Sequence, residues 1–369
     1  MKIENFLKYE LDKRRASSGF RILKLNNKQQ IDFSSNDYLG LAQLPVIHDN
    51  SIEFVDNGAS GSRLLNGNKL YHEKLEIFLA DFFKAESSLL FNSGYMANLG
   101  LISSVPQKGD TILMDELSHI CIKEGARLSR ANYFNFRHND LKDLESKLKK
   151  AVGNIFVVVE SFYSMDGDNA PLEEIVKLSE KYGAGVIVDE AHSTGLHGES
   201  GYGYCCDLGL EDKIFARIYT FGKAVGAHGA VVVGSQILKE YLVNYSRQFI
   251  YTTALPYVNV KTIENALSYR RQHPQLWTKL QSNICLFRDL LDSHISSLDS
   301  HHPIQGIIFS DAKSATDFSE YLNQKGFNVR PILSPTVPKG KERVRICLHA
   351  FNSKEEISNL CHHINEYFQ

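Results

Sequence analysis

Asp189, His192 and Lys223 have the types and spacing to run chemistry together. The apolar run Gly185-Val186-Ile187-Val188 ends in Asp189-Glu190-Ala191-His192-Ser193-Thr194-Gly195, and Lys223 follows in Thr220-Phe221-Gly222-Lys223. An acid at a strand end, a histidine one turn on and a lysine in a Gly-flanked turn are what a pyridoxal phosphate (PLP) site requires. The lysine amine condenses with the cofactor aldehyde, and the acid keeps the pyridine nitrogen protonated so that the ring draws electrons. Taken singly, each residue has a plainer reading: a solvated lysine, or an aspartate that caps the next loop or helix. Asp189 to His192 also spells a helicase box, but that reading needs an upstream G-x-x-x-x-G-K-[ST] loop. Lys223 is downstream, is followed by Ala224, and has Arg217 where the first glycine should stand.

The elements that must position these residues are those of an α/β protein. Strand and helix patterns alternate from Ser88 to Val233: strands at 88–91, 111–114, 133–136, 155–159, 186–188, 218–219 and 230–233, with helices at 95–104, 118–130, 141–150 and 171–182. A helix with Leu75, Phe78, Leu79 and Phe82 at i, i+3, i+4, i+7 precedes them. Such alternation implies right-handed crossovers and a mostly parallel sheet covered on both sides. Ligands then sit beyond the carboxyl ends of the strands, where Asp189 and Thr220 fall. A charged helical arm with Phe6, Leu7 and Leu11 on one side opens the chain. From Pro256 a long helix to about Leu291 leads into a smaller α+β region with strands at 307–309, 328–332 and 344–348. The expected division is an arm over 1–36, a large cofactor domain over 37–258 and a small domain over 259–369.

Composition narrows the partners. The 369 residues are 43% apolar with a formal net charge of −2, so nothing points to nucleic acid or an anionic membrane. No apolar run approaches bilayer length, and Met1-Lys2-Ile3-Glu4 lacks a signal core. The 6 cysteines show no C-x-x-C pairing and are read as reduced thiols of a cytoplasmic protein. His301-His302 and His362-His363 are read as surface histidines for want of acidic or cysteine partners at ligand spacing, so no metal site is expected.

A set of longer motifs resembles the PLP-dependent α-oxoamine synthases, of the aminotransferase-like fold (fold type I). They are Ser34-Ser35-Asn36-Asp37-Tyr38-Leu39-Gly40, Asp115-Glu116-Leu117-Ser118-His119, Ser164-Met165-Asp166-Gly167-Asp168, Asp189-Glu190-Ala191-His192, Thr220-Phe221-Gly222-Lys223 and Ile250-Tyr251-Thr252-Thr253. Ser334-Pro335-Thr336-Val337-Pro338-Lys339-Gly340, leading into Arg343-Val344-Arg345, favours the branch that serves biotin synthesis. That resemblance implies condensation of L-alanine with pimeloyl-CoA, or a pimeloyl carrier protein, to 8-amino-7-oxononanoate, CoA and CO₂.

The resemblance also implies roles. Lys223 holds the cofactor and then serves as the base at Cα. Asp189 pairs with the pyridine nitrogen. His192 and Ser164 bond the phenolic oxygen, and His119 stacks on the ring. Gly94 and Tyr95, at a helix start after Ser93, offer N–H groups to the phosphate, with Thr220 adding a hydroxyl. Thr252 reaches the phosphate of a neighbouring subunit in a homodimer. Arg345 clamps the amino acid carboxylate, with Arg343 the rival on the same strand face. Asn36 and Glu160 stand near the reacting atoms. Turn chemistry remains the other reading of Ser164 and Asn36.

Two departures bear on the branch. Glu190 and Ser62-Arg63-Leu64-Leu65-Asn66-Gly67 look like the serine palmitoyltransferase branch, and the segment 45–57 is short for a helix expected near the thioester entrance. The alternatives are a sister synthase using glycine with acetyl-CoA or serine with a long acyl-CoA, a true aminotransferase, and a non-catalytic subunit. The last would be expected to lack Lys223.

Overall fold

The structure, a computed structural model, describes residues 2–16, 20–23, 25, 29–47 and 57–369. The expectation of a shortened helix within 45–57 falls largely outside these residues; Pro45–Ile47 forms one 3₁₀ turn. The chain divides into two compact units. One comprises Asn36–Ser164 and Asp168–Lys279, the other Met1–Ser35, Met165–Gly167 and Leu280–Gln369.

The first unit is built on a 7-stranded sheet. Its strands run in the order Ser87–Phe91, Ala230–Gly234, Ala216–Thr220, Gly185–Asp189, Ile155–Glu160, Thr111–Asp115 and Asn132–Phe136. Ala230–Gly234 is antiparallel to both of its neighbours, and the other pairs are parallel. Continuous runs such as Phe156-Val157-Val158-Val159 and Val186-Ile187-Val188 suit strands buried on both faces. Side chains alternate between two cores: Val158 and Ile187 join one cluster, while Val157, Val159, Val186 and Val188 join the other. This arrangement places the site. Asp115, Glu160, Asp189 and Thr220 are each the last residue of a strand, so the sheet's carboxyl edge gathers three carboxylates and a hydroxyl.

A buried arginine on Tyr257–Gln272 steadies the loop that follows Asp189. Arg270 is 1% exposed and its guanidinium donates to the carbonyls of Gly195, Leu196, Gly198 and Glu199. Those carbonyls have no strand partner to satisfy them, and the arginine's rigid fork does so.

The second unit holds a sheet in the order Arg330–Ile332, Glu342–Cys347, Ile304–Phe309, all antiparallel. The helices Ala312–Gln324 and Lys354–Tyr367 bury Phe318, Leu322, Leu360 and Ile364. A separate parallel pair joins Ile31–Asp32 to Phe327–Asn328. The helix Lys2–Ala16 has no buried residue.

Three local expectations give way. The long helix from Pro256 is two helices, Tyr257–Gln272 and Gln275–Leu290. Pro274 lacks an N–H and pushes His273 out of the helical region, to φ −126° and ψ 64°. The strand expected over 328–332 is split between two sheets: Phe327–Asn328 pairs with Ile31–Asp32, and Arg330–Ile332 is an edge strand of the other sheet, where Pro331 is tolerated. A helix at Gln236–Tyr245 was not expected; Ser235 caps it by accepting from Leu238 N–H, and Leu238 and Leu242 are its buried face. The expected domain boundary at 258–259 falls inside the helix Tyr257–Gln272.

Candidate active site

At the sheet's carboxyl edge lies a cavity of about 160 Å³. Gly94, Tyr95, Asn98, His119, Cys121, Glu160, Asp189, Ala191, His192, Thr220 and Lys223 line it. Eight residues chosen from sequence therefore meet in one place: Lys223, Asp189, His192, His119, Glu160, Thr220, Gly94 and Tyr95.

Lys223 Nζ is 2.8 Å from His192 Nε2. The other ring nitrogen of His192 is 2.9 Å from the hydroxyl of fully buried Tyr38, which donates to Asn36 Oδ1 at 3.0 Å. Asn36 thus reaches the cavity through Tyr38 and His192 and does not line it. Sequence reasoning quoted Tyr38 within its motif but gave it no role.

Asp189 is 5% exposed and has a donor on each carboxylate oxygen: Ala191 N–H on Oδ1 at 2.9 Å and Asn98 Nδ2 on Oδ2 at 2.8 Å. Glu160, the neighbouring carboxylate, accepts His119 N–H at 2.6 Å. Burial pushes the Glu160 carboxyl up to about 8, the charge of Asp189 adds to this, and Lys223 opposes it. Two carboxylates one strand apart thus sit in different surroundings, and burial favours the protonated form of Glu160.

His119 caps the helix Ile120–Ser129, its Nδ1 accepting Cys121 N–H at 3.3 Å, with Cys121 Sγ at 2.8 Å. Burial raises the Cys121 thiol, helped by Asp189 and Glu160, so sulfur keeps its proton and donates it. With Nδ1 accepting, the neutral imidazole carries its proton on Nε2. Burial also lowers His119 below the ordinary histidine value, with Lys223 adding to the effect and Asp189 opposing it, which favours that neutral form. Tyr95 meets His119 edge-on, ring centres 6.4 Å apart, and its hydroxyl donates to Glu124.

The end of the cavity nearest Gly94 is suited to phosphate. Ser93 caps the helix Gly94–Ser104 by accepting from Met96 N–H. A Cβ added at Gly94 would stand 2.9 Å from Thr220 Oγ1 and fill the approach to these N–H groups. Asn98, which lines the cavity, has its Oδ1 buried without a protein partner. These features fit PLP: an amine for its aldehyde, a carboxylate for its nitrogen, and a helix start with a hydroxyl for its phosphate.

Besides Asn36, four expected residues are not in this cavity's lining. Ser164 is half-buried in the turn 164–166. Thr252 stands beside Arg63, His72 and Phe249. Arg343 and Arg345 belong to the other unit, on the strand Glu342–Cys347. There Arg343 is committed, donating to Asp166 Oδ1 and Met165 O at 2.8 Å each. Arg345 is 8% exposed. Asn98 and Cys121 were missed. Each had a sequence signal: Asn98 is one helical turn past Gly94, and Cys121 is two residues past His119. For His362-His363 the sequence reading overlooked Glu366, one turn along the same helix, whose carboxylate oxygen lies within 4.8 Å of both ring ligand atoms. Glu366 is hydrogen-bonded to His363 and Tyr321.

Behind the site, His138 bridges Asp115 Oδ1 at 2.9 Å and Asp168 Oδ2 at 2.7 Å, tying a strand end to the segment after Ser164. Burial opposes its charge, but hydrogen bonds and charge from the two aspartates outweigh this and push His138 up to about 10. Its value is raised in the fold, so the stabilisation is complete below the unfolded value of about 6.5 and is lost as pH rises through about 10. His138→Gln is expected to cost about 2 kcal/mol at pH 7, below the ~3–5 of a fully buried pair because the imidazole is 21% exposed. Denaturant melts at pH 7 and pH 10 check this: the gap between parent and variant should shrink at the higher pH.

The chain matches the aminotransferase class I and II family over residues 28–364. It is 41% identical over 378 residues to the 8-amino-7-oxononanoate synthase of Emericella nidulans, covering 95% of this chain and 92% of the relative. Among solved structures, serine palmitoyltransferase from S. paucimobilis with bound PLP-myriocin is 29% identical with a TM-score of 0.90, covering 98% of this chain and 96% of that one. The 8-amino-7-oxononanoate synthase of Francisella tularensis is 28% identical with a TM-score of 0.78, covering 93% and 98%. The cavity lining and these likenesses along nearly the whole length agree, and the chain belongs to the aminotransferase class I and II family of PLP enzymes, among the α-oxoamine synthases.

Proposed function

We propose that this enzyme condenses L-alanine with a pimeloyl thioester, on CoA or on a carrier protein, to give 8-amino-7-oxononanoate, CO₂ and the free thiol in biotin synthesis. The observation that carries the reading is the cavity in which Lys223, His192, Asp189, Glu160 and His119 converge, in a chain 41% identical to an 8-amino-7-oxononanoate synthase. PLP, when bound, supplies the electron sink that makes an amino acid Cα acidic and its carboxylate a leaving group.

The protein's own residues do the rest. Lys223 Nζ takes the Cα proton, with His192 Nε2 at 2.8 Å to orient it. Asp189 balances the positive charge of the pyridine nitrogen. Glu160, whose protonated form burial favours, holds the proton that the condensation step needs near the acyl carbonyl. His119, neutral and protonated on Nε2, covers the ring. The amino acid carboxylate is assigned to Arg345, because a guanidinium matches a carboxylate bidentately. Ser164 serves the cofactor's phenolic oxygen, and Asn36 acts through Tyr38.

The enzyme works as a homodimer, with Thr252 serving the neighbouring subunit's phosphate. Leu65 and Tyr251, 85% and 81% exposed, support a partner surface near that segment. The 6 cysteines are free thiols, which supports a cytoplasmic enzyme. Among the described residues no helix is long and apolar enough to cross a membrane.

A sister activity is the second reading, favoured by one finding: the serine palmitoyltransferase structure gives the higher TM-score, 0.90 against 0.78. Thiol release from acetyl-, pimeloyl- and palmitoyl-CoA, each with glycine, alanine and serine, separates the two. Release with pimeloyl-CoA and alanine alone is the expected pattern. Release with palmitoyl-CoA and serine would move the substrates and leave the cofactor chemistry in place.

A further inference from the structure

Asn98 touches the site from the helix that begins at the phosphate end. Its side chain is 1% exposed, and both amide hydrogens are spent: Nδ2 donates to Asp189 Oδ2 at 2.8 Å and to Gly94 O at 3.1 Å. The orientation of the amide is fixed by chemistry. A carboxylate and a carbonyl are both acceptors, so only the NH₂ end can face the pair of them. Asn98 therefore links the carboxylate meant for the pyridine nitrogen to the first residue of the phosphate-end helix. Two donors hold Asp189 from different directions, Ala191 N–H on Oδ1 and Asn98 on Oδ2. Remove Asn98 and one oxygen loses its anchor, so the carboxylate is free to turn about its own side-chain torsions. In a buried site that freedom weakens a charged pair, whose strength depends on held geometry.

We infer that Asn98 is a positioning residue for the cofactor: it locks Asp189 in the orientation that meets the pyridine nitrogen and keeps that nitrogen protonated. The inference rests on the PLP seat described above and is independent of which substrates the enzyme takes. The hydrogen bond from Ala191 N–H to Oδ1 remains when Asn98 is lost, so the effect is partial. Loss of Asn98 is expected to weaken PLP binding about tenfold, in the range that one such bond allows.

The test uses Asn98→Ala and Asn98→Ser with PLP labelled at the ring nitrogen. Circular dichroism and melting of the apoproteins show which variant folds, and serine covers the case in which alanine does not. In the parent, the ¹⁵N resonance of bound PLP should lie at the protonated pyridine position; a neutral ring in the parent would overturn the Asp189 assignment itself. In a folded variant, the resonance should move toward the neutral position and the dissociation constant should rise about tenfold. A folded variant with the parent's resonance and the parent's affinity would overturn the role given to Asn98.

Discussion

Lys223→Ala should abolish turnover, by at least about 10⁴-fold, while the protein still folds. The lysine is half-buried on a turn rather than packed in a core, and its Nζ lies 2.8 Å from His192 Nε2. Truncating such a side chain shifts stability by no more than about 1 kcal/mol. Chemistry suffers far more, because no other amine is placed in the cavity lining to take the cofactor aldehyde or the Cα proton. Paired measurements of steady-state rate and melting temperature check this. Retained turnover in a folded variant would remove Lys223 from the mechanism. A collapse of folding would instead make its role structural.

The second large effect is expected at Asp189. Asp189→Asn keeps the volume and can keep one acceptor toward Asn98 or Ala191, so the strand end should survive. What goes is the negative charge beside the pyridine nitrogen. A neutral amide cannot balance a protonated ring, and a buried, preorganised charge is worth roughly 10²–10³-fold in rate. Exchange of the alanine Cα proton in D₂O, followed by NMR, should fall about 10³-fold with weakened PLP binding. Exchange at the parent rate would mean that another group protonates the ring.

Much of this site was legible because strand ends are legible. Runs such as Ile155 to Val159 and Val186 to Val188 read as strands from their β-branched residues, and each leads directly into a carboxylate of the cavity lining, Glu160 or Asp189. The Ser93-Gly94-Tyr95 helix start was equally plain. Residues acting through a neighbour were harder to find. Asn98 looks like any polar residue of an apolar helix, and its value comes from a carboxylate 91 residues away. Tyr38 reaches His192 across 154 residues, and Cys121 matters only because burial leaves its proton on sulfur. Arg343 and Arg345 could not be told apart on one strand face; the acceptor Asp166, which occupies Arg343, lies far off in sequence. The split at Pro274 was readable from the residue itself and was missed, whereas the split strand around Val329 depends on which sheet each half finds.

The most direct test of the proposed reaction follows the atoms. Alanine labelled with ¹³C at its carboxylate is incubated with pimeloyl-CoA and PLP-loaded enzyme, and product and gas are analysed by mass. Decarboxylative condensation predicts unlabelled 8-amino-7-oxononanoate together with one labelled CO₂ and one free thiol per turnover. Label appearing in pyruvate, with the thioester intact, would contradict the proposal and leave an amino-group transferase in its place.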